Sequence, residues 1–383
     1  MTAILDRPIG QTTTQNPRLA RLLALVVSAR GSDLHLQSGS SPRVRVDGRL
    51  EKVAGESPLG AQELSDFARG ILRPEAVDKL EQGEEVDVSY QDDEVGRFRV
   101  HVYRQAGGLA MTFRHVTSKV PSFVQLNLPP TVERLAQEQR GLVLVTGPTG
   151  SGKTTTLAAM IAHINRTRDC HVVTIEDPIE VVHRPDRAEI SQREIGVDTK
   201  DFPSAMRAAM RQDPDVILVG EMRDLETVSA AIHAAETGHL VLSTLHTSDA
   251  VETVTRIVDF FPPHQHHQVR MSLASTLKGV IGQRLVPTSY TPGRVPAVEI
   301  LIANGRVQQC VLDPDRHGDI SEIIARGEYY GMTTFDQSLA RLCAERVIDV
   351  PTALAHASNP HDLQLLLHNN GVEEPSRPEV AAW

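Results

Sequence analysis

Apolar residues recur at two different periods along this chain, and the switches between them mark its organisation. Leu19, Leu22, Leu23, Val26 and Val27 follow the i, i+3, i+4, i+7, i+8 spacing that collects side chains on one face of a helix. From Asp33 the period falls to two: Leu34 and Leu36 alternate with polar neighbours, and Val44 and Val46 run into Asp47-Gly48, a strong two-residue hairpin signal. Leu64, Phe67, Ala68, Ile71 and Leu72 predict a second helix, and Val86, Val88 and Tyr90 a further strand. Phe98, Val100 and Val102 then alternate with Arg99 and His101, and Leu109, Met111 and Phe113 do the same beyond Gly107-Gly108. Residues 17–120 are therefore expected to form a small α+β domain behind a loose polar tail, 1–16, that carries Thr12, Thr13 and Thr14.

Pro121, Pro129 and Pro130 make 121–130 the expected linker, and the texture changes after it. Residues 142–145 form a continuous apolar run entering a glycine-rich loop, which suits a strand covered on both faces in a parallel sheet. Similar runs at 172–175, 216–219 and 240–242 are separated by helical stretches, the alternation of an α/β domain over 131–370. Beyond Pro287 the pattern reads as mostly helical, and 371–383 as a polar tail.

Composition narrows the class. With 40% hydrophobic and 23% charged residues the chain is neither disordered nor collagen-like, and 383 residues exceed the roughly 100 to 200 of one domain. A net charge of -10 with only 4% aromatics argues against nucleic acid as a partner, because neither a global positive field nor a stacking surface is available. Cys170, Cys310 and Cys343 match neither a metal-ligand spacing nor a disulfide framework. No stretch approaches the roughly 20 apolar residues of a membrane span, and residues 1–15 lack the basic and apolar regions of a signal peptide, so a cytoplasmic location is expected.

The chemistry begins at Gly147-Pro148-Thr149-Gly150-Ser151-Gly152-Lys153-Thr154, which fits the P-loop pattern G-x-x-x-x-G-K-[ST] and stands between an apolar strand and a helix striped by Leu157, Met160, Ile161 and Ile164. Glycines let backbone N–H groups turn toward phosphate oxygens, and the helix N-terminus adds the positive end of its dipole. Lys153 supplies a mobile charge and Thr154 a hydroxyl for Mg²⁺. The expected ligands are ATP and Mg²⁺, held by Gly147, Pro148, Thr149, Gly150, Ser151, Gly152, Lys153, Thr154 and Thr155.

Hydrolysis requires further groups, and apolar runs deliver three sets of candidates to strand ends, where ligands bind in open α/β sheets. Glu221 follows 216–219 and can serve either Mg²⁺ or the attacking water. Glu176, Asp177 and Glu180 follow 172–175, gathered by the turn at Pro178, and at least one of them is a candidate. His246 follows 240–245, as a neutral donor or a charge sensor. In the first domain, pairing Val100 with Phe113 about a turn at Ala106-Gly107 would set Arg99 opposite Arg114, an arrangement that destabilises a sheet unless an anion lies between them. A two-residue slip keeps the apolar face and makes the pair diagonal, so the register stays open at this level. His264, His266 and His267 lack accompanying carboxylates or cysteines and read as an exposed helix start.

Taken in order, Ser32-Asp33-Leu34-His35-Leu36, the P-loop, residues 174–180, Arg211-Gln212-Asp213-Pro214-Asp215, 220–224 and Ser243-Thr244-Leu245-His246-Thr247 resemble the type II/IV secretion superfamily ATPases, and most of all their PilT group of type IV pilus retraction motors. The resemblance runs from about residue 19 to 339. It implies a PAS-like N-terminal domain, a RecA-like P-loop ATPase domain with a helical C-terminal region, and a homohexamer in which neighbouring subunits complete each site. It further implies that Arg99 and Arg114 are arginine fingers, that 176–180 is the family's Asp box, Glu221 its catalytic glutamate and His246 part of its His box. The implied partner is an inner-membrane pilus platform protein, reached from the cytoplasmic side. Assembly motors of the same superfamily usually carry an extra N-terminal region and a four-cysteine zinc module; the lack of both here favours retraction. One departure is Gly305-Arg306-Val307-Gln308-Gln309-Cys310, where retraction motors often have an Ala-Ile-Arg stretch. Other readings are an accessory retraction paralogue, a minimal assembly motor, a nucleic-acid translocase and a nucleotide-binding scaffold that does not hydrolyse.

Overall fold

A computed structural model describes residues 16–372 except 47, 93, 117, 118, 292 and 370. Most of both expected tails, and Asp47 of the expected hairpin turn, lie outside the described residues. The chain divides into two compact units, the first ending at Lys119 and the second beginning at Val120, with Glu180–Val182 grouped with the first.

The first unit runs α1 (Pro17–Ser28), β1 (Asp33–Gln37), β2 (Arg43–Val46), β3 (Arg49–Lys52), α2 (Ala61–Ile71), α3 (Pro74–Glu81), β4 (Val86–Asp92), β5 (Gly96–Gln105) and β6 (Gly108–Val116). Asn16 starts α1 by accepting from the N–H groups of Arg18 and Leu19, with Pro17 pre-set for the first turn. The sheet order is β3-β2-β1-β6-β5-β4. Leu34, Leu36, Val100, Val102, Met111 and Phe113 line its apolar face and pack with Leu19, Leu22, Leu64 and Phe67 of the helices. Ala106 and Gly107 both take positive φ, 46° and 77°, the turn whose twist matches the β5–β6 hairpin. That turn fixes the register: Val100 pairs with Phe113, Val102 with Met111, and Arg99 with Arg114.

The second unit continues with α4 (Pro130–Ala136), β7 (Gly141–Thr146), α5 (Lys153–Thr167), β8 (His171–Glu176), β9 (Glu189–Glu194), α6 (Phe202–Ala209), β10 (Val216–Val219), α7 (Leu225–Glu236), β11 (Leu240–Leu245), α8 (Ala250–Asp259), α9 (His266–Thr276), β12 (Leu277–Pro287) and β13 (Arg294–Ile302). Helices α10 (Gly305–Leu312), α11 (Asp319–Ala325), α12 (Phe335–Ala344), α13 (Val350–His356) and α14 (Pro360–Asn369) follow. The sheet order is β13-β12-β7-β11-β10-β8-β9. Pairing is parallel from β12 through β9 and antiparallel between β12 and β13. Within the continuous apolar run of β7, Leu142 and Leu144 join the core on one face of the sheet. Val143 and Val145 join the core on the other. This two-sided covering is why the run shows no alternation.

The fold is the α/β class expected, and the region beyond Pro287 is mostly helical, α10 to α14, with one strand that the residue pattern does not signal. Nine of its residues form strand β13 rather than helix. Val295, Ala297, Val298, Ile300 and Leu301 are buried there, too short a run to declare a period, and Pro296 weakens the strand signal further. A proline is tolerated because β13 is an edge of the sheet. Among the described residues no helix is long and apolar enough to cross a membrane.

Candidate nucleotide site

The site grows from the C-terminal end of β7. The loop 147–152 turns the chain into α5 through three positive φ values, 138° at Gly147, 79° at Gly150 and 91° at Gly152. Gly147 is required for space as well: a Cβ there would stand 2.2 Å from the Gln283 carbonyl oxygen. Lys153 opens α5 with its side chain buried and folded back, its Nζ donating to the carbonyls of Gly147 at 2.8 Å and Pro148 at 3.1 Å. Thr154 and Thr155 are exposed at the helix start. The hydroxyls of Ser151 and Thr146 are buried without hydrogen-bond partners, which fits a loop whose donors serve a bound phosphate.

Two neighbouring strands bring the acidic and basic groups to the same end. Glu221 follows β10 by two residues, and its carboxylate lies 2.7 Å from Arg223 Nη2 and 3.2 Å from His246 Nε2. Burial alone would raise this carboxyl, but the Arg223 hydrogen bond and the charges of His246, Arg223 and Lys153 outweigh it and hold the group below its ordinary value. Glu221 therefore stays ionised as an acceptor at neutral pH. The backbone that carries it is tied to β11: Thr244 Oγ1 donates to the Gly220 carbonyl at 2.8 Å, and the Met222 N–H donates to the Thr244 carbonyl at 3.2 Å.

Lys153, Glu221, Arg223 and His246 thus form one cluster, with Asp177 near enough to add to the elevation of the Arg223 guanidinium that Glu221 causes. Glu176 is engaged beside it, accepting from Thr174 Oγ1 at 2.7 Å and Gln192 Nε2 at 3.2 Å. Asp177 and Glu180 are exposed. His264 and His267 are exposed around the start of α9, and no group of three or more His, Cys, Asp and Glu able to hold a metal occurs among the described residues.

Two contributors carry no assigned role in the sequence reading. Arg223 lies two residues past Glu221, and its only signal is a cation in an acidic strand-end loop. Gln283 is 3% exposed on β12 among the buried Val280, Ile281 and Val286, and the signal is a polar residue at a core position.

In the first unit, one cross-strand row on the polar face of the sheet reads Arg45, Asp33, Arg114, Arg99, Ser89. Arg114 Nε donates to Asp33 Oδ1 at 2.9 Å, and Arg99 Nε lies 3.7 Å from Asp87 Oδ1. The opposed arginines are therefore balanced by carboxylates of their own sheet. Asp33 is anchored from behind by the Ser32 hydroxyl at 2.7 Å. The Arg114 and Arg99 side chains remain 66% and 44% exposed, able to reach a further anion. With Asp33, Asp87, His101 and Thr112 they line a cleft of about 330 Å³.

Comparison with known proteins shows the family of the chain. The family described as "Type II/IV secretion system protein" matches residues 14–320. A "Twitching motility protein" of Neisseria gonorrhoeae is 42% identical over 84% of this chain and 86% of its own. The "Type IV pilus retractation ATPase PilT" of Pseudomonas aeruginosa is 41% identical over 90% of this chain and 99% of its own. A solved structure described as the pilus retraction motor PilT with bound ADP superposes with a TM-score of 0.82 at 41% identity, over 90% of this chain and 99% of that one.

Proposed function

Because this chain belongs to the type II/IV secretion system protein family, in its PilT group of ATPases, we propose that it is the subunit of a homohexameric motor that withdraws type IV pili by hydrolysing ATP. The chain is an ATPase of the RecA-like class, and the observation that carries the functional reading is the meeting of Lys153, Glu221, Arg223 and His246 at the C-terminal ends of neighbouring strands.

Residues 147–155 cradle the phosphates: backbone N–H groups of the glycine loop and the N-terminus of α5 face the anion, and Lys153 exchanges its loop carbonyls for phosphate oxygens. The exposed Thr154 hydroxyl and the strand-end carboxylates fit a Mg²⁺ ion, which neutralises phosphate charge when bound. Glu221, held ionised, orients the attacking water and draws on its proton; His246 and Arg223 fix the carboxylate in place. At least one of Glu176, Asp177 and Glu180 serves as a second acidic group toward that water. Arg99 and Arg114 are supplied to the site of a neighbouring subunit, where they stabilise charge that develops on the transferring phosphoryl group. Coupling runs to a pilus platform protein at the inner face of the cell membrane.

Direction is tested in cells. A deletion strain is expected to build pili and fail to retract them, with surface pilin level or raised and twitching stopped, and a Lys153→Ala copy is expected not to rescue. Loss of surface pili, restored by the intact gene, would reassign the chain to assembly. Unchanged motility would make it an accessory motor; at the 305–310 departure, Val307 and Cys310 keep α10 docked, while Arg306, Gln308 and Gln309 are exposed.

A further inference from the structure

We propose that Gln283 is a positioning residue for the P-loop, holding its two ends and the first turn of α5 in the shape that receives phosphate. The inference rests on the reading of residues 147–154 as the nucleotide site. Strand β12 runs parallel to β7 and pairs with it as far as Gly282 and Thr146. Gln283 is the next residue, placed where the loop departs.

Its backbone carbonyl lies against Gly147, so close that any Cβ would collide with it at 2.2 Å. Its side-chain Nε2 lies against Gly152 at the other end of the loop, 2.8 Å from the point a Cβ would occupy. Its Oε1 accepts from Thr156 Oγ1 at 2.8 Å, a bond between side chains that are 3% and 1% exposed. One residue therefore braces the first glycine, the last glycine and the helix that follows.

The chemistry selects an amide. A hydrocarbon leaves the buried Thr156 hydroxyl unpaired. A carboxylate sets a negative charge beside a loop built to receive phosphates. A loop whose three glycines can each visit many conformations must be ordered when nucleotide arrives, and a fixed brace removes that cost in advance. Loss of the brace is therefore read in affinity: KM for ATP and Kd for ADP rise together, while kcat moves less.

The test uses the full chain and ADP as the probe, measured by calorimetry, with ATP hydrolysis alongside. Gln283→Met and Thr156→Val each keep volume and delete one side of the bond; each is expected to weaken ADP binding about tenfold, with the double variant no weaker than either single. Thr156→Ser, which restores the hydroxyl, is expected to recover most of the affinity. Unfolding midpoints without nucleotide identify any variant that has lost its fold, and the Thr156 pair probes the bond from the far side should Gln283→Met be that variant. ADP affinity within about twofold of the parent in both single variants would overturn the proposal, as would losses that multiply in the double. Lys153→Ala is the separate control: undiminished ADP binding there would overturn the nucleotide-site reading itself.

Discussion

Arg114 and Asp33 stand opposite one another across the β1–β6 pair, joined by a 2.9 Å hydrogen bond from the arginine Nε to a buried carboxylate. Bonding through Nε leaves the Nη groups of a largely exposed side chain to donate elsewhere. An arginine held this way is partly ordered already, so less rotamer freedom is lost when its Nη groups meet an anion.

On the proposed finger role, Arg114→Ala is expected to depress ATP hydrolysis by about 10³-fold or more with nucleotide affinity much less affected, because a finger acts on transition-state charge. Arg99→Ala is expected to act in the same direction. Supply from a neighbour has its own measurement: rings mixed from Arg114→Ala and Glu221→Gln subunits should recover part of the hydrolysis. No recovery in verified mixed rings would mean that each chain completes its own site.

Glu221→Gln keeps the shape of the side chain and one acceptor for His246 but removes the charge that orients water. We expect ATP binding near the parent value and turnover reduced by about 10²-fold or more. Lys153→Ala is expected to fail one step earlier, at binding. Near-parental hydrolysis by Glu221→Gln would remove Glu221 from its catalytic assignment and leave Glu176 and Asp177 as the alternatives.

A pH prediction comes from Glu299, on β13, which accepts from the N–H of Ala250 at the start of α8 at 2.9 Å. Burial pushes its carboxyl up from 4.5 to about 7; the Ala250 N–H and Arg284 oppose the shift, and Asp249 and Asp336 add to it. A raised acid means that the folded protein keeps a proton the unfolded chain has released between those two values, so this group's contribution is fully present below about pH 4.5 and is lost as pH rises to about 7. Glu299→Gln removes the titration while keeping an acceptor for Ala250. Its stability relative to the parent should therefore climb across that window by on the order of 3 kcal/mol and then level off. Urea unfolding at several pH values measures this, and a difference that is flat throughout would sink the assignment.

How much of this was legible in sequence depends on whether a residue acts through its identity or through its place. The P-loop and Glu221 are legible because phosphate chemistry demands those residue types at those spacings. The Arg99–Arg114 register was half legible: alternation set the shared face, but only the conformation of Ala106 and Gly107 excludes the two-residue slip. The balancing carboxylate of Asp33 was hidden because strand β1 is far from β6 in sequence and joins it only through the sheet. Strand β13 was missed because a buried edge strand with an internal proline declares neither period. Gln283 was faintly legible for a different reason: a polar residue at a core position is a signal, but part of its contact with the loop is made by its backbone carbonyl, which every residue carries.

Gly147 and Gly150 both take positive φ, 138° and 79°, so alanine is strained at either. Only at Gly147 does space also run out, with the Gln283 oxygen 2.2 Å from the new Cβ; at Gly150 nothing lies within 4 Å. The neighbour at Gly147 is backbone in a paired strand, which cannot swing aside as a flexible side chain would, so the loop itself must move. Gly147→Ala is therefore expected to abolish measurable ADP binding and to lower stability by on the order of 3 kcal/mol, strain and overpacking together. Gly150→Ala, facing strain alone, should cost about 1 to 2 kcal/mol and keep a weakened site. Calorimetric binding and urea unfolding of the two variants side by side measure the difference, and equal losses at both positions would show that conformation, rather than the close approach of Gln283, sets the requirement for glycine.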